Sequence, residues 1–146
     1  SELLEPLVKD ITNLVDLFCH LFNLNETELK LKVITEAMCP RFHVDMVPCR
    51  LISTYKGKAT EWLPHRFADR RKLGAGNLGK PDNESGLFKL LSDIQYLDTG
   101  DVAILKGESW LNNQGGGLVH RSPQASTENS RLFITLDFPS KQDVTV

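Results

Sequence analysis

Arg131-Leu-Phe-Ile-Thr-Leu-Asp-Phe138 is the stretch on which the fold turns. Read as a β-strand, it puts Arg131, Phe133, Thr135 and Asp137 on one face and Leu132, Ile134, Leu136 and Phe138 on the other, because successive side chains alternate. One of these faces must line a pocket. The strand therefore asks for a second layer, and the residues before it show what that layer contains.

Shorter runs of the same kind precede it. Leu29, Leu31 and Val33 alternate with Lys30 and Lys32, as in a half-buried strand. Cys49 to Tyr55 is rich in β-formers and leads through Lys56-Gly57-Lys58 to Ala59-Thr60-Glu61-Trp62-Leu63, which reads as a hairpin. Ile94 to Leu97 and Val102 to Leu105 flank the turn Asp98-Thr99-Gly100-Asp101, and Leu118-Val119-His120 precedes the final strand. Short strands separated by frequent turns predict an antiparallel jelly roll or barrel rather than a βαβ sheet. In front of them, Leu4, Leu7, Ile11, Leu14, Val15, Phe18 and Phe22 recur at three- and four-residue steps, predicting a helix over 2–23 whose apolar stripe covers a sheet. His20, near the end of that helix, reads as a capping or packing residue.

Composition sets the limits. The 146 residues are 40% hydrophobic and 25% charged, which suits one domain spanning 1–146, with a core over about 28–138. A net charge of −2 gives no basic field for nucleic acid or an anionic membrane. Three cysteines without CxxC spacing argue against a disulfide framework or zinc ribbon and favour a reducing cytoplasm. Neither a basic leader nor a membrane-length apolar run is present, so a soluble protein is expected. The chain begins at Ser1 rather than Met, which leaves room for upstream residues that cover one sheet.

From Pro64 to Gly86 the sequence is polar and glycine-rich. A loop of this length in a small domain is expected to be a lid or binding loop, over 64–86 and including Asn77. Within it, Gly74 to Gly79 fits G-x-G-x-x-G and Gly74 to Lys80 fits G-x-x-x-x-G-K. Neither match follows an apolar strand, and Pro81 stands where a P-loop needs Ser or Thr, so both read as a glycine loop.

Chemistry gathers elsewhere. His43-Val-Asp45 places an imidazole and a carboxylate on one side of an extended segment, and His120 follows 75 residues later. Two imidazoles and one carboxylate on one side of a metal leave the opposite positions open for a cosubstrate and oxygen, as in non-haem Fe(II) oxygenases. Arg131, eleven residues beyond His120, has a planar fork suited to a carboxylate. Arg121 is a rival anion binder, and either Arg50 or Tyr55 faces the site, since they lie on opposite faces of their strand.

Cys-Pro-Arg-Phe-His-Val-Asp from Cys39, the run from Arg50 to Leu63, Gly-Asp-Val-Ala-Ile-Leu-Lys-Gly-Glu from Gly100 and Gly-Leu-Val-His-Arg-Ser-Pro from Gly117 resemble a bacterial family catalogued as domain of unknown function 1826. Genes of that family tend to lie near zinc-homeostasis genes. More broadly, Pro40 to Phe138 resembles the Fe(II)/2-oxoglutarate-dependent dioxygenase superfamily, with its double-stranded β-helix (jelly-roll, cupin-like) core. That resemblance implies that His43, Asp45 and His120 bind Fe(II) and that Arg131 pairs with the distal carboxylate of 2-oxoglutarate. Many of these enzymes carry Ser or Thr two residues after the Arg, where this chain has Phe133. Trp62, Trp110 and Asn77 are expected to line the way to an unknown small-molecule or peptide substrate. Two other classes fit the same residues: a zinc-binding protein of metal homeostasis or a zinc hydrolase, with Cys39 or Cys49 joining, and a jelly-roll binding module without catalysis.

Overall fold

The computed structural model describes residues 2–36, 40–124 and 130–140. Helix α1, Glu5–Phe22, carries Pro6 in its first turn and ends where Asn23 takes the left-handed conformation at φ 51°. There the Leu24 N–H donates to the Cys19 carbonyl at 2.9 Å, closing the helix as C-terminal caps do. Among the described residues no helix is long and apolar enough to cross a membrane.

Among the described residues seven strands follow: β1 Glu28–Ile34, β2 Cys49–Lys56, β3 Glu61–Leu63, β4 Gln95–Tyr96, β5 Val102–Lys106, β6 Val119–Arg121 and β7 Arg131–Asp137. They form two antiparallel sheets, one in the order β1-β7-β2-β5 and the other β4-β3-β6. The chain is thus mainly β with one N-terminal helix. An isolated antiparallel bridge from His43 to His120 adds a point of pairing beside β6.

Parity assigns the faces of the larger sheet. Leu51, Cys49, Ile134 and Leu136 pack with Leu14 and Phe18 of α1 into one buried cluster, with Phe22, Tyr55, Trp110 and Phe138 at its edge. Fully burying an apolar side chain of this size is worth about 1.5–3 kcal/mol, so the helix stripe and this sheet face hold each other in place. The opposite face turns to the smaller sheet, where Ile52, Leu105 and Phe133 meet Leu97 and Leu118.

Two expectations are corrected. The runs on either side of Gly57 do not form a hairpin: β2 pairs with β5 and β7, whereas β3 pairs with β4 and β6. Gly57, at φ +85°, lets the chain leave one sheet for the other, and a Cβ there would press on the Ser130 carbonyl. The segment 64–86 is not draped over the space between the sheets either. It winds through the 3₁₀ turns His65–Phe67, Arg70–Lys72 and Gly74–Asn77 and belongs to the outer side of the smaller sheet. Ala68 and Leu73 pack there against Phe42, Leu63, Leu87 and Val119. The apolar residues scattered through this polar stretch explain why: they find a core of their own.

Candidate metal centre

His43 and His120 are brought together by their backbones. The His43 N–H donates to the His120 carbonyl and the His120 N–H to the His43 carbonyl, both at 3.0 Å. Residues exchanging both bonds in an antiparallel pair project side chains to the same side, and the two ring centroids lie 4.6 Å apart. Each ring is oriented by a carbonyl two residues before it: Nδ1 of His43 lies 2.9 Å from the Arg41 oxygen and Nδ1 of His120 2.9 Å from the Leu118 oxygen. With Nδ1–H donating, Nε2 keeps its lone pair, which is how metal-bound imidazoles are commonly held.

Both Nε2 atoms face Asp45, at 3.6 Å from His43 to Oδ1 and 3.3 Å from His120 to Oδ2. One ligand atom from each of the three residues lies within 4.8 Å of the others. Burial opposes ionisation of Asp45, but a proton on either Nε2 hydrogen-bonds to it while the site is metal-free. These bonds from His120 and His43 and the charge of Arg50 outweigh burial and hold the carboxyl well below the usual carboxylate range; a metal ion would take the place of those protons. The Asp45 carboxylate in turn raises the His43 pKa, against the effect of burial. Two imidazole lone pairs converging on an ionised carboxylate fit a divalent cation such as Fe(II) or Zn(II).

Neighbouring segments fix this cluster. The Glu108 N–H donates to the Asp45 carbonyl at 2.9 Å and the Gly107 N–H to the Pro48 carbonyl at 2.9 Å. Gly107 is required there, because a Cβ would run into the Val47 carbonyl oxygen. The Glu108 carboxylate accepts from the Gly115 and Gly117 N–H groups at 2.6 and 3.0 Å, strapping down the glycine turn that leads to His120.

Arg50 links the cluster to the larger sheet. Its Nη1 donates to Asp45 Oδ2 at 3.0 Å and its Nε to Asp137 Oδ1 at 2.8 Å. Arg50 thus faces the site, and Tyr55 is excluded from it: the phenol lies on the helix side and donates to Asp10 at 2.7 Å. Periodicity had placed Asp137 on the face of Arg131 without revealing its partner.

Both imidazoles line a cavity of about 140 Å³ between the sheets, together with Lys30, Lys32, Arg50, Ile52, Phe133 and Thr135, among others. The Arg131–Asp137 face of β7 is therefore the one that reaches the pocket. Arg131 itself is 1% exposed, and its guanidinium carbon sits 4.9 Å from the centre of the Phe133 ring. Among the described residues none of its three side-chain nitrogens has a hydrogen-bond partner. Arg131→Met is expected to stabilise the ligand-free protein by about 1–2 kcal/mol in urea unfolding: removing an uncompensated buried charge outweighs the lost ring contact. A loss of stability would mean that the guanidinium is paired after all.

The remaining expected site residues lie elsewhere. Arg121 is committed to Glu61 at 2.6 Å and Asp82 at 2.8 Å and stacks on Phe42, so it is no free anion binder. Trp110 packs on Phe22 beside α1, its ring centre 5.9 Å away. Asn77 accepts the Gly79 N–H within its own turn. Trp62 is nearer, opposite His120 in register, but lines a separate apolar cleft with Leu97, Ala103 and Leu118. Cys49 is buried on the helix side, where burial and the nearby Asp137 charge push its thiol up to about 11. Cys39 and Glu128, the latter a potential partner for Arg131, fall outside the described residues.

Lys30 and Lys32 are the lining residues that sequence reasoning missed. The signal was present: they alternate with Leu29, Leu31 and Val33, and only the assumption that a charged face points to solvent hid them.

Fold and site define a mainly β protein of two antiparallel sheets, with a helix on one side and a His/Asp/His group able to hold a metal ion on the other. A family model described as "Protein of unknown function (DUF1826)" matches residues 2–137, and the chain belongs to that family. No curated protein and no solved structure matches the chain.

Proposed function

We propose that this chain is a mononuclear jelly-roll metalloprotein, a non-haem Fe(II)/2-oxoglutarate-dependent oxygenase of unknown substrate. The observation that carries the reading is the convergence of both Nε2 atoms on Asp45, with the two imidazoles at the wall of a cavity whose charged lining residues, among those described, are Lys30, Lys32 and Arg50. The order of the strands supports it. Counting the His43 segment as a second strand, the sheets run 1-8-3-6 and 2-7-4-5, and every consecutive pair except the fourth and fifth strands changes sheet, which is the jelly-roll order. When bound, iron and the 2-oxo acid would supply oxidative chemistry; the protein orients them and restricts water.

Anaerobic addition of Fe(II) and then 2-oxoglutarate tests this directly. A weak visible charge-transfer band that requires both additions is expected; its absence, with Fe(II) bound, would reject the cosubstrate. Metal uptake also depends on pH. Both imidazoles must be neutral to bind, and the His43 pKa is raised, so protons compete from a higher pH than at an ordinary His. Affinity is expected to fall below neutrality by about tenfold per pH unit for each proton that must leave. Calorimetric titrations between pH 6 and 8 read that slope, and a flat profile would show that the imidazoles are not ligands.

The zinc reading uses the same three donors with an open fourth position. With Cys49 turned to the helix core, no described thiolate adds to it. Metal content after purification without chelator or nickel resin separates the two metals.

A further inference from the structure

We propose that Lys30 and Lys32 of β1 form the anion-anchoring wall of the metal cavity, so that the ligand meeting the metal is a short dicarboxylate held at its far end by this pair. The assignment rests on the oxygenase reading and names the group that recognises its cosubstrate. In register, Lys30 stands opposite Thr135 and Lys32 opposite Phe133, and these four side chains border the cavity that His43 and His120 border from the other sheet. Packed sheets lie about 10 Å apart, so a ligand bound to the metal on one layer presents its far end to the other. That other layer is cationic: Lys30 and Lys32 line it, and no Asp or Glu does among the described residues.

The alternative basic groups are already placed. Arg50 is held between Asp45 and Asp137, and Arg121 between Glu61 and Asp82. Arg131 stacks on Phe133 and does not itself border the cavity, so a carboxylate could reach it only after that ring moved. Lys30 also touches Glu28 at 2.9 Å, but both side chains are over a third exposed and such a pair is readily given up. Flexible ammonium groups two positions apart on one strand share a face and can follow a carboxylate without changing the fold.

The test compares 2-oxoglutarate with 2-oxobutyrate, which shares the metal-binding end and lacks the far carboxylate, by anaerobic calorimetry on Fe(II)-loaded protein. Wild type should favour 2-oxoglutarate by about tenfold or more. Lys30→Met/Lys32→Met should erase that preference while leaving affinity for Fe(II) and for 2-oxobutyrate unchanged. A preference that survives in the double variant and disappears in Arg131→Met would overturn the proposal and place the anchor behind Phe133. Equal binding of the two acids by wild type would also overturn it, with the oxygenase reading intact. Failure of both acids to bind the loaded wild type would overturn the oxygenase reading and this assignment with it.

Discussion

His120→Ala is expected to abolish stoichiometric binding of Fe(II) or Zn(II), lowering affinity by more than the roughly 10–100-fold that follows loss of an outer partner of a metal ligand. The imidazole is 6% exposed with its Nε2 3.3 Å from Asp45, and among the described residues no His, Cys, Asp or Glu beyond His43, Asp45 and His120 joins the group. Its backbone bonds to His43 do not require the side chain, so the bridge between the segments should persist. Near-ultraviolet circular dichroism of the ligand-free variant should therefore match wild type even as calorimetry shows the metal isotherm collapsing. Any uncoupled conversion of 2-oxoglutarate to succinate should vanish in parallel. His20→Ala, at the end of α1, is the matched control and should leave metal binding unchanged. Full metal affinity in His120→Ala would mean that the three side chains meet for structural reasons alone.

The sequence disclosed some of this geometry and concealed the rest for identifiable reasons. Period-three-to-four spacing located α1 within a few residues of its observed bounds, and strand parity separated the two faces of β7 correctly. Parity cannot say which face points inward, because that depends on what packs against each. Arg50 and Tyr55 stayed equivalent until Leu51, on the Tyr55 side, was seen beneath Leu14 and Phe18. Adjacency along the chain misled more strongly. The strands flanking Gly57 read as a hairpin because a turn with glycine usually reverses a chain within one sheet, and here it transfers the chain to another. The segment 64–86 read as a lid because its apolar residues are too sparse to show periodicity, although Leu73 and Ala68 suffice to fasten it to Phe42 and Leu87. His43 and Asp45 were found by their spacing, yet the extended segment that carries them pairs only at His43. The pairing of imidazole and carboxylate was legible there because residue identity and spacing survive where regular structure does not. Asp137 was invisible as a partner of Arg50, since the contact joins residues 87 positions apart.

Arg50→Leu should be the most damaging single change to stability outside the apolar core. In the folded protein the guanidinium holds Asp137 at 2.8 Å and Asp45 at 3.0 Å, and the second Asp137 oxygen is buried without a partner among the described residues. Removing Arg50 leaves Asp137, 5% exposed, as an uncompensated carboxylate, for which the general cost is about 3–5 kcal/mol. Asp45 would also lose one of the groups that orient it, so metal affinity should fall by roughly 10–100-fold. The two consequences separate in a double-mutant cycle. Arg50→Leu/Asp137→Leu removes charge from both ends and should recover most of the stability lost in Arg50→Leu, because apolar replacement of a buried pair is often neutral or better. It should not recover metal affinity, since Asp45 still lacks its guanidinium. Saturating metal should restore part of the stability of the single variant by giving Asp45 a cation, while the share due to Asp137 remains. Urea midpoints of the four proteins, with and without metal, decide the matter. Equal stability of Arg50→Leu and the double variant would show that Asp137 was never held by Arg50, and the link between the metal cluster and the larger sheet would have to lie elsewhere.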